Sequence, residues 1–233
     1  MTMNLPTETL SLESEETARS VTSGGVGSTA LLGSLSLSCE DCMALMRRYP
    51  DKHFDLAIVD PPYGIDINSS GRLGHYGGKG KTWDAAIPTL DYFRELYRVS
   101  KNQIIWGGNY FPLPPSRCFL IWDKQQPDGV SFADAEFAWT SFDASAKTFR
   151  MRPQNADPER IHPTQKPVAL YRWLLERYAK PGQRILDTHL GSGSHAIACH
   201  YAGMHLTACE IDADYFAAAQ ERIARETRQT TLF

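Results

Sequence analysis

No stretch of this sequence approaches the roughly 18 consecutive apolar residues that a membrane-spanning helix requires, so no membrane-embedded role is expected. Cysteine is sparse. The five residues Cys39, Cys42, Cys118, Cys199 and Cys209 are odd in number and read as free thiols rather than a disulfide scaffold. Nor does a segment near the start pair basic residues with an apolar run, so export is not expected. Positive charge is not in excess either. The 24 Lys and Arg stand against 27 Asp and Glu, a net charge of -3, which excludes a polybasic coat for nucleic acid. A local basic groove is still allowed, because contacts are made by patches. Aromatic residues are absent from positions 1–30, where Ser, Thr, Glu and Gly dominate, and a disordered tail is expected there. What the chain does have is 42% hydrophobic residues over 233 positions, enough for one domain with a buried core.

From residue 35 onward, short apolar runs alternate with helical periodicity. Strands are expected at 35–38, 54–59, 103–106, 118–122, 135–140, 184–187 and 205–210. Asp41 should cap a helix bearing Cys42, Leu45, Met46 and Tyr49. Pro88 and Pro167 should open helices, the second stopped at Lys180-Pro181-Gly182. Further helices are expected from about 194 to 202 and from Tyr215 to Arg225. This alternation implies an α/β fold, a mostly parallel sheet with helices on both faces. Ligands of such sheets bind beyond the carboxyl ends of the strands. Three features fall at strand ends: Asp60-Pro61-Pro62-Tyr63, the run Asp187 to Ser194, and Glu210.

The run Asp187-Thr188-His189-Leu190-Gly191-Ser192-Gly193-Ser194 joins a strand to a helix. Small residues let a ligand approach the backbone, and a helix start offers free N–H groups. Glu210 ends the next strand, where an acid can accept hydrogen bonds from both hydroxyls of a ribose. The run lacks the Gly-Lys-Ser/Thr ending of a phosphate loop. A cofactor with a ribose but no phosphate suits it better. In Asp60-Pro61-Pro62-Tyr63 the prolines remove two N–H donors. Acceptors remain, the Asp60 carboxylate and the Pro61 carbonyl, beside the aromatic face of Tyr63. That set suits a planar ring with an exocyclic amine, which donates to the acceptors while the ring stacks on tyrosine.

Together these motifs resemble the amino-group DNA methyltransferases, with the catalytic motif ahead of the cofactor motif as in the beta arrangement of that family. The resemblance spans about 35–225. It implies a Rossmann-like methyltransferase fold with a seven-stranded sheet, and S-adenosyl-L-methionine as cofactor. Asp60, Pro61, Pro62 and Tyr63 are then the catalytic set, acting on N6 of a flipped adenine in double-stranded DNA. His162, Thr164 and Lys166 lie in a stretch similar to the cofactor-side motif that precedes the glycine loop. Asp41 matches an acidic position near the cofactor's adenine. Asp187, His189, Gly191, Ser192, Gly193 and Glu210 complete the cofactor set. Trp106-Gly107-Gly108-Asn109-Tyr110 and Trp122-Asp123-Lys124 are similar to a compact branch common in phages and prophages. Thr188-His189 departs from the Pro-Phe that the family often carries.

The resemblance makes 31–226 the methyltransferase domain, with target-recognition insertions at about 66–84 and 143–160. Arg72, Lys79, Lys81, Lys147, Arg150 and Arg152 are the DNA-contact candidates. Between 147 and 180 eight basic residues face three acids, which favours phosphate contact. No metal is expected: Cys39-x-x-Cys42 lacks a second pair. No Pro-Cys dipeptide exists, which argues against cytosine C5 chemistry. In the tail 227–233, Gln229, Leu232 and Phe233 resemble the peptide by which replication proteins dock on the bacterial sliding clamp. A bacterial cytoplasmic setting follows from the same resemblance, and some beta members are homodimers. Cytosine N4 methylation, methylation of RNA or a protein glutamine, and a non-catalytic binding module are the alternatives.

Overall fold

The structure, a computed structural model, describes residues 29–32, 34–65, 84–129, 133–153 and 160–228. Its centre is one mixed sheet. The strands are β1 (Thr29–Leu32), β2 (Leu35–Cys39), β3 (Phe54–Val59), β4 (Ser100–Trp106), β5 (Phe119–Asp123), β6 (Ala135–Thr140), β7 (Lys147–Arg150), β8 (Arg184–Asp187) and β9 (His205–Glu210), in the order β1-β2-β9-β8-β3-β4-β6-β5-β7. The described residues therefore hold nine strands, not the expected seven. The additions are the two edges. β1 pairs antiparallel with β2 and begins inside the stretch expected to be disordered, and β7 pairs parallel with β5. Most of the expected tail, residues 1–28, lies outside the described residues.

Five adjacent strands, β2, β9, β8, β3 and β4, run parallel, and their side chains alternate between two buried faces. Leu56, Ile58, Ile104, Trp106 and Ile185 point to one layer. There they meet α3 (Val168–Tyr178), α4 (Ser194–Tyr201) and α5 (Ala213–Arg228) through Leu174, Ile197 and Ile223. Ala57, Val59, Ile105 and Leu186 point the other way, onto α1 (Cys42–Arg47) and α2 (Leu90–Val99) through Leu45, Met46, Phe93 and Leu96. Asp41 caps α1 by accepting from Ala44 N at 3.0 Å. Pro88, by contrast, lies ahead of α2, whose cap is Thr89.

The topology decides where the site forms. β3 and β8 are neighbours although 124 residues lie between them in the chain, so the turn after β3 and the loop after β8 diverge from one switch point. β6 runs antiparallel to β4 and β5, which brings its first residues, not its last, to the same edge of the sheet.

Candidate active site

Asp60 leaves β3 directly into the Pro61-Pro62 turn, and both its carboxylate oxygens are engaged. Tyr63 Oη donates to Oδ1 at 2.6 Å, and Lys166 Nζ donates to Oδ2 at 2.5 Å. Lys166, only 2% exposed, also contacts Glu136 Oε2 at 3.0 Å, and Lys124 Nζ meets Glu136 Oε1 at 2.5 Å. Aspartate, lysine, glutamate and lysine thus alternate in sign along one row. The ammonium of Lys166 also faces the rings of Tyr63 and Trp106, at 5.6 and 5.4 Å from their centroids. Burial pushes the Asp60 carboxyl upward against the pull of Lys166. Burial also opposes charge on Glu136, but Lys166 and Lys124 overcome it and hold that carboxyl down at about 2. Burial disfavours the Lys166 ammonium too, and Asp60 and Glu136 together more than restore it.

The turn is braced from two sides. Asp84 is buried and accepts from Tyr63 N at 2.7 Å and Gly64 N at 3.0 Å. The Tyr63 ring lies against Gly107 and stacks on Tyr110, 5.0 Å between centroids and 14° apart. A Cβ on Gly107 would sit 2.3 Å from the Tyr63 ring, and φ there is +72°, so only glycine fits. This gives the Trp106 to Tyr110 stretch its physical role.

On the cofactor side, Glu210 ends β9 and accepts from Gly191 N at 2.9 Å and Asp212 N at 3.0 Å. Burial raises its carboxyl. Asp187 Oδ1 accepts from His189 N at 3.0 Å, while Oδ2 pairs with His195 Nδ1 at 2.9 Å. The His195 ring stacks on Tyr171. Gly193 caps α4 with φ +77°, and a Cβ there would meet Ile223 Cδ1 at 2.8 Å. Arg222, a buried residue of α5, donates to Ser192 O at 2.8 Å and Ser194 Oγ at 2.9 Å. Thr188 and His189 are not idle. Tyr92 Oη, Thr188 Oγ1 and His189 Nδ1 form a chain with contacts of 2.7 and 2.9 Å. Burial lowers His189 to about 4, so its ring is neutral at pH 7. His162 Nδ1 turns back onto Thr164, and its ring packs edge-on against Tyr215.

Asp60, His162, Thr164, Lys166, Tyr171, His189, Gly191 and Ser192 line one crevice between the two halves. Asp41 sits at the same edge, because β2 pairs with β9 and Cys39 is level with Glu210. A larger cavity, about 630 Å³, opens at the amino ends of the strands among Tyr49, His53, Arg184 and His205, away from every motif residue.

Of the DNA-contact candidates, Arg72, Lys79 and Lys81 lie outside the described residues, as do Gln229, Leu232 and Phe233. Lys147, Arg150 and Arg152 are exposed on or after the edge strand β7. Arg150 Nε pairs with Asp123 Oδ2 at 3.2 Å. Lys147 is at the amino end of β7, away from the acidic edge. Lys166, counted above in the basic window, is buried between carboxylates and offers no charge to phosphate. Sequence reasoning missed Glu136, Asp84, His195 and Arg222. Glu136 reaches the site through the strand order, Arg222 through the packing of α5, His195 as the second residue of α4 and Asp84 from a turn ahead of α2, and none of the four carries a local signature of its role.

Residues 105–221 match a family model described as DNA methylase, for N6 and N4 methyltransferases. The YubD protein of Escherichia coli (strain K12), whose name describes it as a methylase, is 27% identical over 208 residues, 81% of this chain and 89% of its own. Among solved structures, the cytosine-N4-specific PvuII DNA methyltransferase superposes with a TM-score of 0.57 at 12% identity, covering 84% of this chain and 92% of its own. M1.HpyAVI, solved with S-adenosyl-L-methionine, gives 0.53 at 19%, covering 81% of this chain and 99% of its own. A Thermus thermophilus protein described as a DNA modification methylase, also solved with that molecule, gives 0.52 at 17%, covering 84% and 94%. These likenesses show the shared fold.

Proposed function

The chain belongs to the DNA methylase family of N6 and N4 methyltransferases, and from that premise we propose that it transfers a methyl group from S-adenosyl-L-methionine to N6 of adenine in double-stranded DNA. The single observation that carries the choice of chemistry is Asp60, an acceptor-only group beside an aromatic ring at the switch point of the sheet. The residues on the cofactor side fit S-adenosyl-L-methionine. The Gly191 backbone is open, since a Cβ there would meet nothing closer than 3.9 Å, and Glu210 stands at the strand end suited to a ribose. Bound there, the cofactor supplies an electrophilic methyl group on a sulfonium.

The chain's own contribution is positioning and electrostatics. Asp60 and the Pro61 carbonyl accept from the exocyclic amine and aim its lone pair. Tyr63 and Tyr110 provide the stacking surface for a base turned out of the helix. Asp187, His189, Ser192 and Gly193 shape the cofactor loop, and His162 and Thr164 close its other side. Asp60 favours adenine over cytosine, because the family's cytosine enzymes more often carry serine there. The segment at 66–84 and the exposed Arg150 and Arg152 supply the DNA contacts in this reading. Gln229, Leu232 and Phe233 supply a sliding-clamp peptide, and the setting is the bacterial cytoplasm.

The test is to incubate the protein with unmethylated genomic DNA and S-adenosyl-L-methionine, digest to nucleosides and analyse by mass spectrometry. N6-methyladenine is expected. N4-methylcytosine would keep the fold and overturn the base assignment. No methylated base, with the cofactor bound, would overturn DNA methylation itself.

A further inference from the structure

Each oxygen of Asp60 already holds a strong donor, Tyr63 on one and Lys166 on the other, so a target amine competes with both for the remaining lone pairs. The amine is accepted better if another group draws those donors away. The geometry points to Glu136 as that group: a positioning residue, backed by Lys124, that takes the Lys166 ammonium and the Tyr63 hydroxyl off Asp60 and so opens the acceptor to the exocyclic amine. This inference rests on the methyl-transfer reading above and adds a residue to it.

Three observations carry it. Lys166 Nζ already bridges the two carboxylates, at 2.5 Å from Asp60 and 3.0 Å from Glu136, so its transfer needs only a small shift. Tyr63 Oη lies 3.5 Å from Glu136 Oε2, at the margin of a hydrogen bond, so the same oxygen can accept both donors. Glu136 is itself fixed from behind by Lys124, whose ammonium also faces the Trp122 ring at 5.2 Å. The row of two anions and two cations is neutral as a whole. Without Lys124 the two buried carboxylates would share the single ammonium of Lys166, leaving one net negative charge next to the reacting atoms.

Other groups face this row. Tyr171 of α3 lies near Asp60, His162 and His189 line the shared crevice, and Asp84 holds the Tyr63 backbone. None of them bonds to Glu136 among the contacts described above.

The two ends of the relay act on Asp60 in opposite directions. Glu136→Gln removes the competing negative charge, leaving only a weaker neutral amide acceptor, and keeps Lys166 on Asp60, so Asp60 becomes more acidic and less available. Lys124→Met leaves Glu136 to draw Lys166 more strongly, so Asp60 becomes less acidic. The experiment is steady-state methyl transfer to unmethylated genomic DNA across pH 4.5–8.5, for the full chain and both variants. Cofactor binding by calorimetry establishes that each variant is folded. E136Q should lose about tenfold or more in kcat, with the acid limb of the pH profile moved down by about half a unit or more. K124M should lose less, with that limb moved up. Cofactor affinity should stay within about twofold in both, because neither residue lines the cofactor crevice.

A merely structural role would lower activity without moving the limb in opposite senses. Limbs that coincide with the unaltered protein, or that move together, overturn the relay. If E136Q is inactive throughout, Glu136→Asp decides. Recovery of at least a tenth of the rate supports an acceptor at this position, and no recovery overturns it. An unaltered chain that binds cofactor and methylates nothing overturns the reaction and the relay together. An active chain with an unimpaired E136Q overturns the relay alone.

Discussion

The loop after β8 and the turn after β3 leave neighbouring strands of one sheet, yet they are held by different physics. The loop is built largely from backbone and small residues. Gly191 and Gly193 adopt positive φ, Glu210 and Asp187 accept from loop N–H groups, and Arg222 ties down Ser192. The turn shares one such backbone brace, from Asp84, but its acid sits in a row of side-chain charge, four groups of alternating sign. A cofactor common to many reactions needs a fixed cradle. In the proposed reaction, an acceptor for one transient amine needs partners that can be exchanged.

The contrast breaks most visibly at Asp60. Asp60→Ala should lower methyl transfer by about 10²–10³-fold, the scale of losing an oriented electrostatic partner. Cofactor affinity, measured by calorimetry, should stay within about twofold. A parallel loss of both would make Asp60, which lines the shared crevice, part of the cofactor cradle itself. A second, smaller effect belongs to the loop. Burial opposes charge on His195, but Cys199 and Asp187 overcome it and raise its folded pKa to about 10. The unfolded value is about 6.5. The native state therefore holds the extra proton between those values. Its stabilisation is fully present below about pH 6.5 and is lost as pH rises through about 10. Urea unfolding at pH 6, 8 and 10 should show stability falling by a few kcal/mol, and His195→Gln should flatten that dependence. The smallest effect is steric. Gly193→Ala puts a Cβ 2.8 Å from Ile223 at φ +77°. It should cost about 1–3 kcal/mol in thermal unfolding, with weakened cofactor binding and an unmoved acid limb.

Much of this was legible in the sequence. β3, β6, β8 and β9 fall at the expected bounds because apolar runs bounded by Pro, Gly or Asp declare buried strands. The motif residues at the carboxyl ends of β3, β8 and β9 come to one edge because those strands run parallel. β7 was not legible. Lys-Thr-Phe-Arg is short and polar, as an edge strand can be, and reads as loop. The resemblance assigns Lys166 to the cofactor. It does line that crevice, but its ammonium is committed to Asp60 and Glu136, a partnership that no local pattern announces. Glu136 was invisible for a topological reason. Sequence logic looks for chemistry where strands end, and β6 delivers its acid where it begins.

Asp84 carries a different kind of consequence. Its carboxylate returns to the backbone of Tyr63 and Gly64, so the chain that leaves the turn comes back to the turn. Topologically, the Asp84 contact closes a loop of chain onto the turn. A closed loop of that kind can lengthen at an entropic cost that grows only with the logarithm of its length. The mooring therefore lets the number of residues between Gly64 and Asp84 change at little entropic cost while Asp60 beneath it keeps its place.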